Sequence, residues 1–153
     1  MDLVVWRHAE AIELQDGKND LDRALTARGF KQATRIAGWL DRQLPENTRI
    51  LSSPALRCQE TVRRLDRKYR VSDDLQLEAT PQQLLAAVQW PLAKTTNLIV
   101  GHQPMLGQLI AQLLGLQINE CAIRKGAVWW LRSREREGQR QTVLVAVQSA
   151  DML

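Results

Sequence analysis

Histidine is almost absent from this chain: 153 residues contain two, His8 and His102. Cysteine is as scarce, and Cys58 and Cys121 stand far apart in no CxxC spacing, which excludes a disulfide framework or a zinc knuckle and fits a reducing compartment. Aromatic residues make up 5% of the sequence. The arginine-rich runs RRLDRKYR (63–70) and LRSREREGQR (131–140) hold one ring between them, Tyr69, and so lack the succession of interleaved rings of a single-strand stacking platform. Both runs also carry acids, so the net charge of +4 and the pI near 9.5 are expected to describe a solvated surface, with no nucleic-acid partner. No stretch approaches the roughly 20 apolar residues of a membrane span. The opening MDLVVW is too short for a signal-peptide core and lacks a basic flank. A soluble, cytoplasmic protein with no membrane partner is expected.

What the chain does contain, 44% hydrophobic residues over 153 positions, is enough for one core, and a single domain over 1–153 is expected. Residues 3–6 form an apolar run that ends abruptly in Arg7-His8, and a polar stretch to Leu25 reads as a loop. Thr26 is a candidate N-cap for an amphipathic helix carrying Phe30, Ala33, Ala37 and Leu40, stopped by Pro45 after Leu44. A short strand at 49–52 leads to Ser53-Pro54, expected as cap and first residue of a second helix with Leu56, Val62 and Leu65 on its buried stripe. A weak extended segment is expected between Ser72 and Leu77. Thr80-Pro81 opens a third helix that Trp90-Pro91 ends. NLIVGHQP (97–104) repeats the first pattern, a buried strand followed by histidine, and a helix with Leu106, Leu109, Ile110, Leu113 and Leu114 closes at Gly115. The remainder, 126–133 and 142–147, reads as a β-hairpin. Strands alternating with helices predict a three-layer α/β/α sandwich around a mostly parallel sheet with an antiparallel edge.

In such sheets function collects at the carboxyl ends of the strands. Those ends here carry Arg7-His8, Ser52-Ser53 with Arg57 just beyond, and Gly101-His102. Each residue alone has an ordinary structural explanation, but two histidines and two arginines converging on one sheet edge suit a multiply charged anion. Phosphoryl groups fit best, because guanidinium forks bind their oxygens bidentately. One histidine can attack phosphorus while the arginines stabilise the equatorial oxygens. Neighbouring positive charge keeps that ring neutral, provided some group accepts its other proton; which group does so is not legible.

Together, Arg7-His8, LTARGFKQA (25–33), SSPALRCQET (52–61) and VGHQP (100–104) resemble the histidine phosphatase superfamily, with its phosphoglycerate-mutase-like fold. The short length is most similar to the SixA-type phosphohistidine phosphatases within it. The resemblance runs from residue 2 to about 115. It implies His8 as nucleophile, Arg7 and Arg57 as phosphate-binding arginines and His102 as the second pocket histidine. It makes Thr26 and Gly29 a structural helix-opening signature. Ala9 departs from the family's usual glycine, for which a tighter turn is expected.

The family's general acid has no clean match. Glu78 is nearest by order, with Glu10, Asp20 and Asp22 as rivals. An imidazole leaving group needs little protonation compared with an alkoxide, so this gap favours phosphohistidine as substrate. The segment between Arg57 and His102 is filled by the expected helices and weak strand, leaving no room for a lid and predicting an open, shallow pocket. The reading is thus a metal- and cofactor-independent monomeric phosphatase acting on a phosphohistidine-bearing signalling or phosphotransfer protein. The alternatives are a small-molecule or phosphoserine phosphatase on the same site, or a non-catalytic reader of phosphoproteins. Trp6, Trp39 and Trp90 are expected as core or edge packing, Trp129 and Trp130 on opposite faces of one strand, and Cys58 as a structural helix residue.

Overall fold

A computed structural model describes residues 1–153. Its ten principal elements run β1 (Asp2–Arg7), α1 (Ala27–Gln43), β2 (Arg49–Ser52), α2 (Leu56–Arg63), β3 (Arg70–Val71), α3 (Pro81–Ala87), β4 (Asn97–Gly101), α4 (Met105–Leu113), β5 (Val128–Arg136) and β6 (Gln139–Gln148). The strands form one sheet in the order β3-β2-β4-β1-β5-β6. The first four are parallel, and β5 and β6 add the antiparallel edge. The expected α/β/α sandwich is the observed one.

Period-two alternation divides the core. Leu3, Val5, Leu51, Ile99 and Leu131 face one layer, with Leu84 of α3 and Leu106, Leu109 and Ile110 of α4. Val4, Trp6, Ile50, Leu98, Val100 and Trp130 face the other, with Ile36, Ala37 and Leu40 of α1 and Cys58 and Val62 of α2. The unbroken apolar run of β1 follows from this, since the strand is covered on both faces and both edges. Trp130 packs edge-on against Trp39, whereas Trp129 packs on the opposite face. No helix is long and apolar enough to cross a membrane.

Thr26 caps α1 as expected, its Oγ1 accepting from the Gly29 N–H at 2.9 Å, and Thr80 forms a reciprocal capping box with Gln83 on α3. Gly115 takes the left-handed conformation (φ +65°) just past α4. Three expectations are corrected. Helix α2 begins at Leu56, two residues late, and Ser53 does not cap it because its hydroxyl is engaged elsewhere. The extended segment expected at 72–77 is instead a 3-10 turn, Asp73–Leu75, because the Ser72 hydroxyl accepts from the Asp74 N–H and curls the chain; the strand is the two residues before it. The closing hairpin is longer than expected, its turn being Glu137-Gly138 with φ of +53° and +77°.

Candidate active site

The junction after β1 is fastened from both sides. The His8 N–H donates to the Gly101 carbonyl at 3.1 Å, and the His8 carbonyl accepts from the Gly126 N–H at 3.0 Å. His102 follows β4 directly, so the parallel pairing of β1 with β4 sets the two rings side by side, with centroids 5.5 Å apart. Arg57 reaches them from the first turn of α2. All four expected residues, Arg7, His8, Arg57 and His102, line one pocket of about 250 Å³, together with Asp20, Arg23, Leu77, Gln103 and Lys125. Of the segment between Arg57 and His102, only Leu77 contributes to that wall, so no lid is folded over it. The rings nevertheless lie at the floor, His8 8% and His102 2% exposed, deeper than the shallow site expected.

The group that takes the other ring proton of His8 is the backbone. His8 Nδ1 lies 2.7 Å from the Ala9 carbonyl oxygen, which can only accept, so the proton sits on Nδ1 and the lone pair on Nε2. Burial first, then the charges of His102, Arg57 and Arg7, push the His8 pKa down to about 3, against the opposing effect of that hydrogen bond. Ala9 itself is fully buried beside Leu25 and Ala33, and its N–H donates to Thr61 Oγ1 at 3.0 Å. Its φ lies outside the left-handed region, so the methyl needs no glycine-like backbone.

His102 is held from behind. Its Nε2 lies 2.7 Å from Ser53 Oγ, while Nδ1 lies 3.3 Å from Arg57 Nη2. A guanidinium only donates, so Nδ1 accepts and Nε2 carries the proton toward serine. Burial, then Arg57, lowers this ring to about 4 despite the opposing charge of Asp20. Arg7 donates from Nη1 to the Ile123 carbonyl at 2.6 Å, and burial lowers its pKa. Arg7 Nε and Arg57 Nε are buried without any hydrogen-bond partner. Cys58, fully buried at 3.6 Å from His102 Nε2, has its thiol pushed up to about 12 by burial and remains protonated.

Of the four candidate acids only Asp20 enters the pocket. Its carbonyl and Oδ2 accept from Arg57 Nη1 and Nη2 at 2.9 and 3.0 Å, and Oδ1 pairs with Arg23 at 3.2 Å. Partial burial raises its pKa, but the hydrogen bonds and charges of Arg23 and Arg57 outweigh this and hold it below the usual carboxylate range. Glu78 is exposed on the turn before α3, Glu10 accepts from the Thr26 hydroxyl at 2.7 Å, and Asp22 is exposed; none lines the pocket. Arg23, Gln103 and Lys125 went unread in the sequence because they lie in aperiodic loops. The pocket thus gathers four cations and two neutral rings around one carboxylate. It can bind a tetrahedral oxyanion and offer it an unprotonated imidazole nitrogen. No three or more His, Cys, Asp or Glu side chains cluster in a way that could hold a metal ion.

Comparison with known proteins agrees with this geometry. Residues 3–82 match the model of the histidine phosphatase superfamily, branch 1. The chain is 30% identical over 121 residues to the phosphohistidine phosphatase SixA of Escherichia coli, covering 74% of each chain. It is 31% identical over 135 residues to a SixA homolog of Haemophilus influenzae, covering 75% of this chain and 78% of that one. Among solved structures, the protein histidine phosphatase SixA complexed with tungstate superposes with a TM-score of 0.78 at 23% identity, covering 99% of both chains. A phosphoserine phosphatase of Entamoeba histolytica superposes at 0.73 with 16% identity, covering 99% of this chain and 98% of that one. These two likenesses show a shared fold.

Proposed function

The chain belongs to the histidine phosphatase superfamily, branch 1, as a phosphatase, and on that premise we propose that it hydrolyses phosphohistidine on a partner protein through a covalent phosphohistidine at His8. The observation that carries the mechanism is the 2.7 Å contact from His8 Nδ1 to the Ala9 carbonyl, which leaves Nε2 unprotonated at the pocket floor.

In the first step the Nε2 lone pair attacks phosphorus in line. The P–N bond of the substrate breaks, and the departing imidazole keeps the bonding pair and takes a proton from water. In the second step water attacks phosphorus, the P–Nε2 bond breaks and inorganic phosphate leaves. Arg7 and Arg57 stabilise the charge on the equatorial oxygens, and His102, whose Nδ1 accepts from Arg57, sits beside the phosphoryl group and holds that guanidinium in place. No metal or cofactor is required.

Two features support the substrate class. The only acid in the pocket, Asp20, is held ionised by two arginines and is a poor proton donor near neutrality, which suits imidazole as a leaving group better than an alkoxide. Glu78, away from the pocket wall, is not assigned that role. No lid closes the pocket of about 250 Å³ against a side chain extended from a protein surface. SixA of Escherichia coli, the relative at 30% identity, is a phosphohistidine phosphatase, and the SixA structure of this fold is complexed with tungstate, a tetrahedral oxyanion. The catalytic unit is one domain over 1–153, acting as a cytoplasmic monomer.

The test is parallel turnover of a phosphohistidine-bearing protein domain and of p-nitrophenyl phosphate, by wild type and His8→Ala, with chelator present. Faster release from the protein, lost in His8→Ala together with an acid-labile, base-stable phosphoenzyme, is expected. Binding of phosphate without turnover of either substrate refutes the enzymatic reading.

A further inference from the structure

A second cavity, of about 380 Å³, shares Lys125 with the catalytic pocket. Its wall holds Arg28, Lys31 and Arg35 of α1, Arg124 and Lys125 of the turn before β5, and the acids Glu10 and Asp151. That turn is fastened to the reacting residue, since Gly126 donates to the His8 carbonyl. The cavity therefore opens directly beside the point where a substrate enters.

Its charge is not internally balanced. Glu10 is engaged by Thr26, and Asp151 by Arg124 and Ser149. Arg28, Lys31, Arg35 and Lys125 have no carboxylate within 4.0 Å, so five cations face two acids already in use. On α1 the three cations fall at i, i+3 and i+7, one stripe along the helix, where like charges oppose helix formation. The only acid of that helix, Asp41, pairs with Arg67 instead. A stripe of mutually repelling, unpaired charges next to an active site is a cost that a binding role accounts for.

Resting on the phosphoprotein reading above, we propose that this cavity is a docking site for an acidic helix face of the substrate protein, adjacent to its phosphohistidine. Only one of the ten lining residues, Ala150, is apolar, so the ligand is polar and anionic. The cations are exposed, unlike the half-buried fork of Arg7 and the buried fork of Arg57, which suits a row of carboxylates better than a single enclosed anion. Their spacing matches acids at i, i+3 and i+7 on an opposing helix. No aromatic side chain lines the cavity to stack a base, which disfavours nucleic acid.

The experiment compares wild type, the triple variant Arg28→Gln/Lys31→Gln/Arg35→Gln and a charge-matched hairpin control, Arg134→Gln/Arg136→Gln/Arg140→Gln. The substrates are p-nitrophenyl phosphate and a phosphohistidine-bearing helical domain made with a Glu stripe or the corresponding Gln stripe beside the phosphorylated residue. The triple variant should lose on the order of tenfold in kcat/KM on the acidic domain, through KM and with a shallower salt dependence. Its activity on p-nitrophenyl phosphate and on the Gln-stripe domain should stay at the wild-type level, as should the control on every substrate. Equal kcat/KM of wild type and triple variant on the acidic domain overturns the proposal. So does an equal loss in the hairpin control, which would reflect net charge, or displacement of the acidic domain by a 20-nucleotide oligonucleotide that the triple variant no longer binds. If wild type turns over p-nitrophenyl phosphate but neither phosphohistidine domain, the substrate reading itself fails and the docking site with it.

Discussion

Ser53 Oγ lies 2.7 Å from His102 Nε2, and the same oxygen accepts from the Ala55 N–H at 3.2 Å. Arg57, which can only donate to Nδ1, fixes the tautomer of His102, and the serine accepts the resulting Nε2–H and holds the ring in that orientation. Replacing Ser53 by Ala leaves a buried N–H without an acceptor, a cost of about 1–3 kcal/mol. It also frees the ring to turn away from Arg57. Ser53→Ala is expected to lower kcat roughly tenfold with little change in KM, because the mispositioned ring matters most when charge develops on phosphorus. Steady-state kinetics with a urea melt separate the two effects; an unchanged kcat would show that His102 orients itself without Ser53.

That contact also shows where sequence reading stops. Serine followed by proline ordinarily announces a helix, and the same two residues here end β2 and orient a histidine, with α2 starting at Leu56. Arg7-His8 and Gly101-His102 were legible because an apolar strand run cannot end in such residues without reason, and parallel pairing of β1 with β4 brings them together. The Ala9 carbonyl was not legible, since every residue carries one and only the backbone path aims it. Asp20 was one of four candidate acids in the sequence, and only the folded loop selects it, through Arg57. The period-two and period-3.6 patterns thus recover the layers, whereas contacts made by loops and main chain depend on how the elements are packed.

The two histidines set the pH response. Burial and the surrounding cations hold His8 near 3 and His102 near 4, below their ordinary 6.5. The unfolded chain therefore binds protons that the native pocket refuses. This contribution to stability is complete above about pH 6.5 and is lost as pH falls from there through 4 toward 3, by roughly 1 kcal/mol per pH unit for each ring. Urea midpoints at pH 7 and pH 5 should differ accordingly, and the difference should shrink in His8→Gln/His102→Gln. Equal midpoints for wild type would mean that both rings take up protons at pH 5 as freely as they do in the unfolded chain. The same depressions predict that neither ring places an ionisation in the kcat/KM profile between pH 5 and 8.

Gly29 is a steric requirement of the site. A Cβ there would lie 2.0 Å from the Glu10 carbonyl oxygen, which also accepts from the Thr26 N–H. The close approach presses the start of α1 against the segment that follows His8. Gly29→Ala must push that segment away, at a cost of about 2–3 kcal/mol, with activity falling further than stability as the Ala9 carbonyl shifts from His8. Thermal unfolding and turnover of p-nitrophenyl phosphate at a temperature where the variant remains folded provide the check. Near-wild-type values of both would mean that the 9–11 segment is looser than its contacts indicate.

Asp20 occupies both outer nitrogens of Arg57, one through its carbonyl and one through Oδ2, so an incoming phosphoryl oxygen competes with a carboxylate for the same donor. Held ionised by Arg23 and Arg57, it repels a dianion and has no proton to give near neutrality. Asp20→Asn keeps the shape while removing the charge. Affinity for inorganic phosphate should therefore rise, by about threefold to tenfold for a partly exposed charge. Turnover of a phosphohistidine domain should persist, because its leaving group does not depend on an enzymic acid. A phosphoserine peptide gives the opposing case. If Asp20→Asn abolishes hydrolysis of that ester while sparing phosphohistidine, Asp20 donates the leaving-group proton and its carboxyl must be protonated in the substrate complex. Retention of both activities with tighter phosphate binding would instead make Asp20 a gate on Arg57, holding the guanidinium in place until a phosphoryl group displaces it.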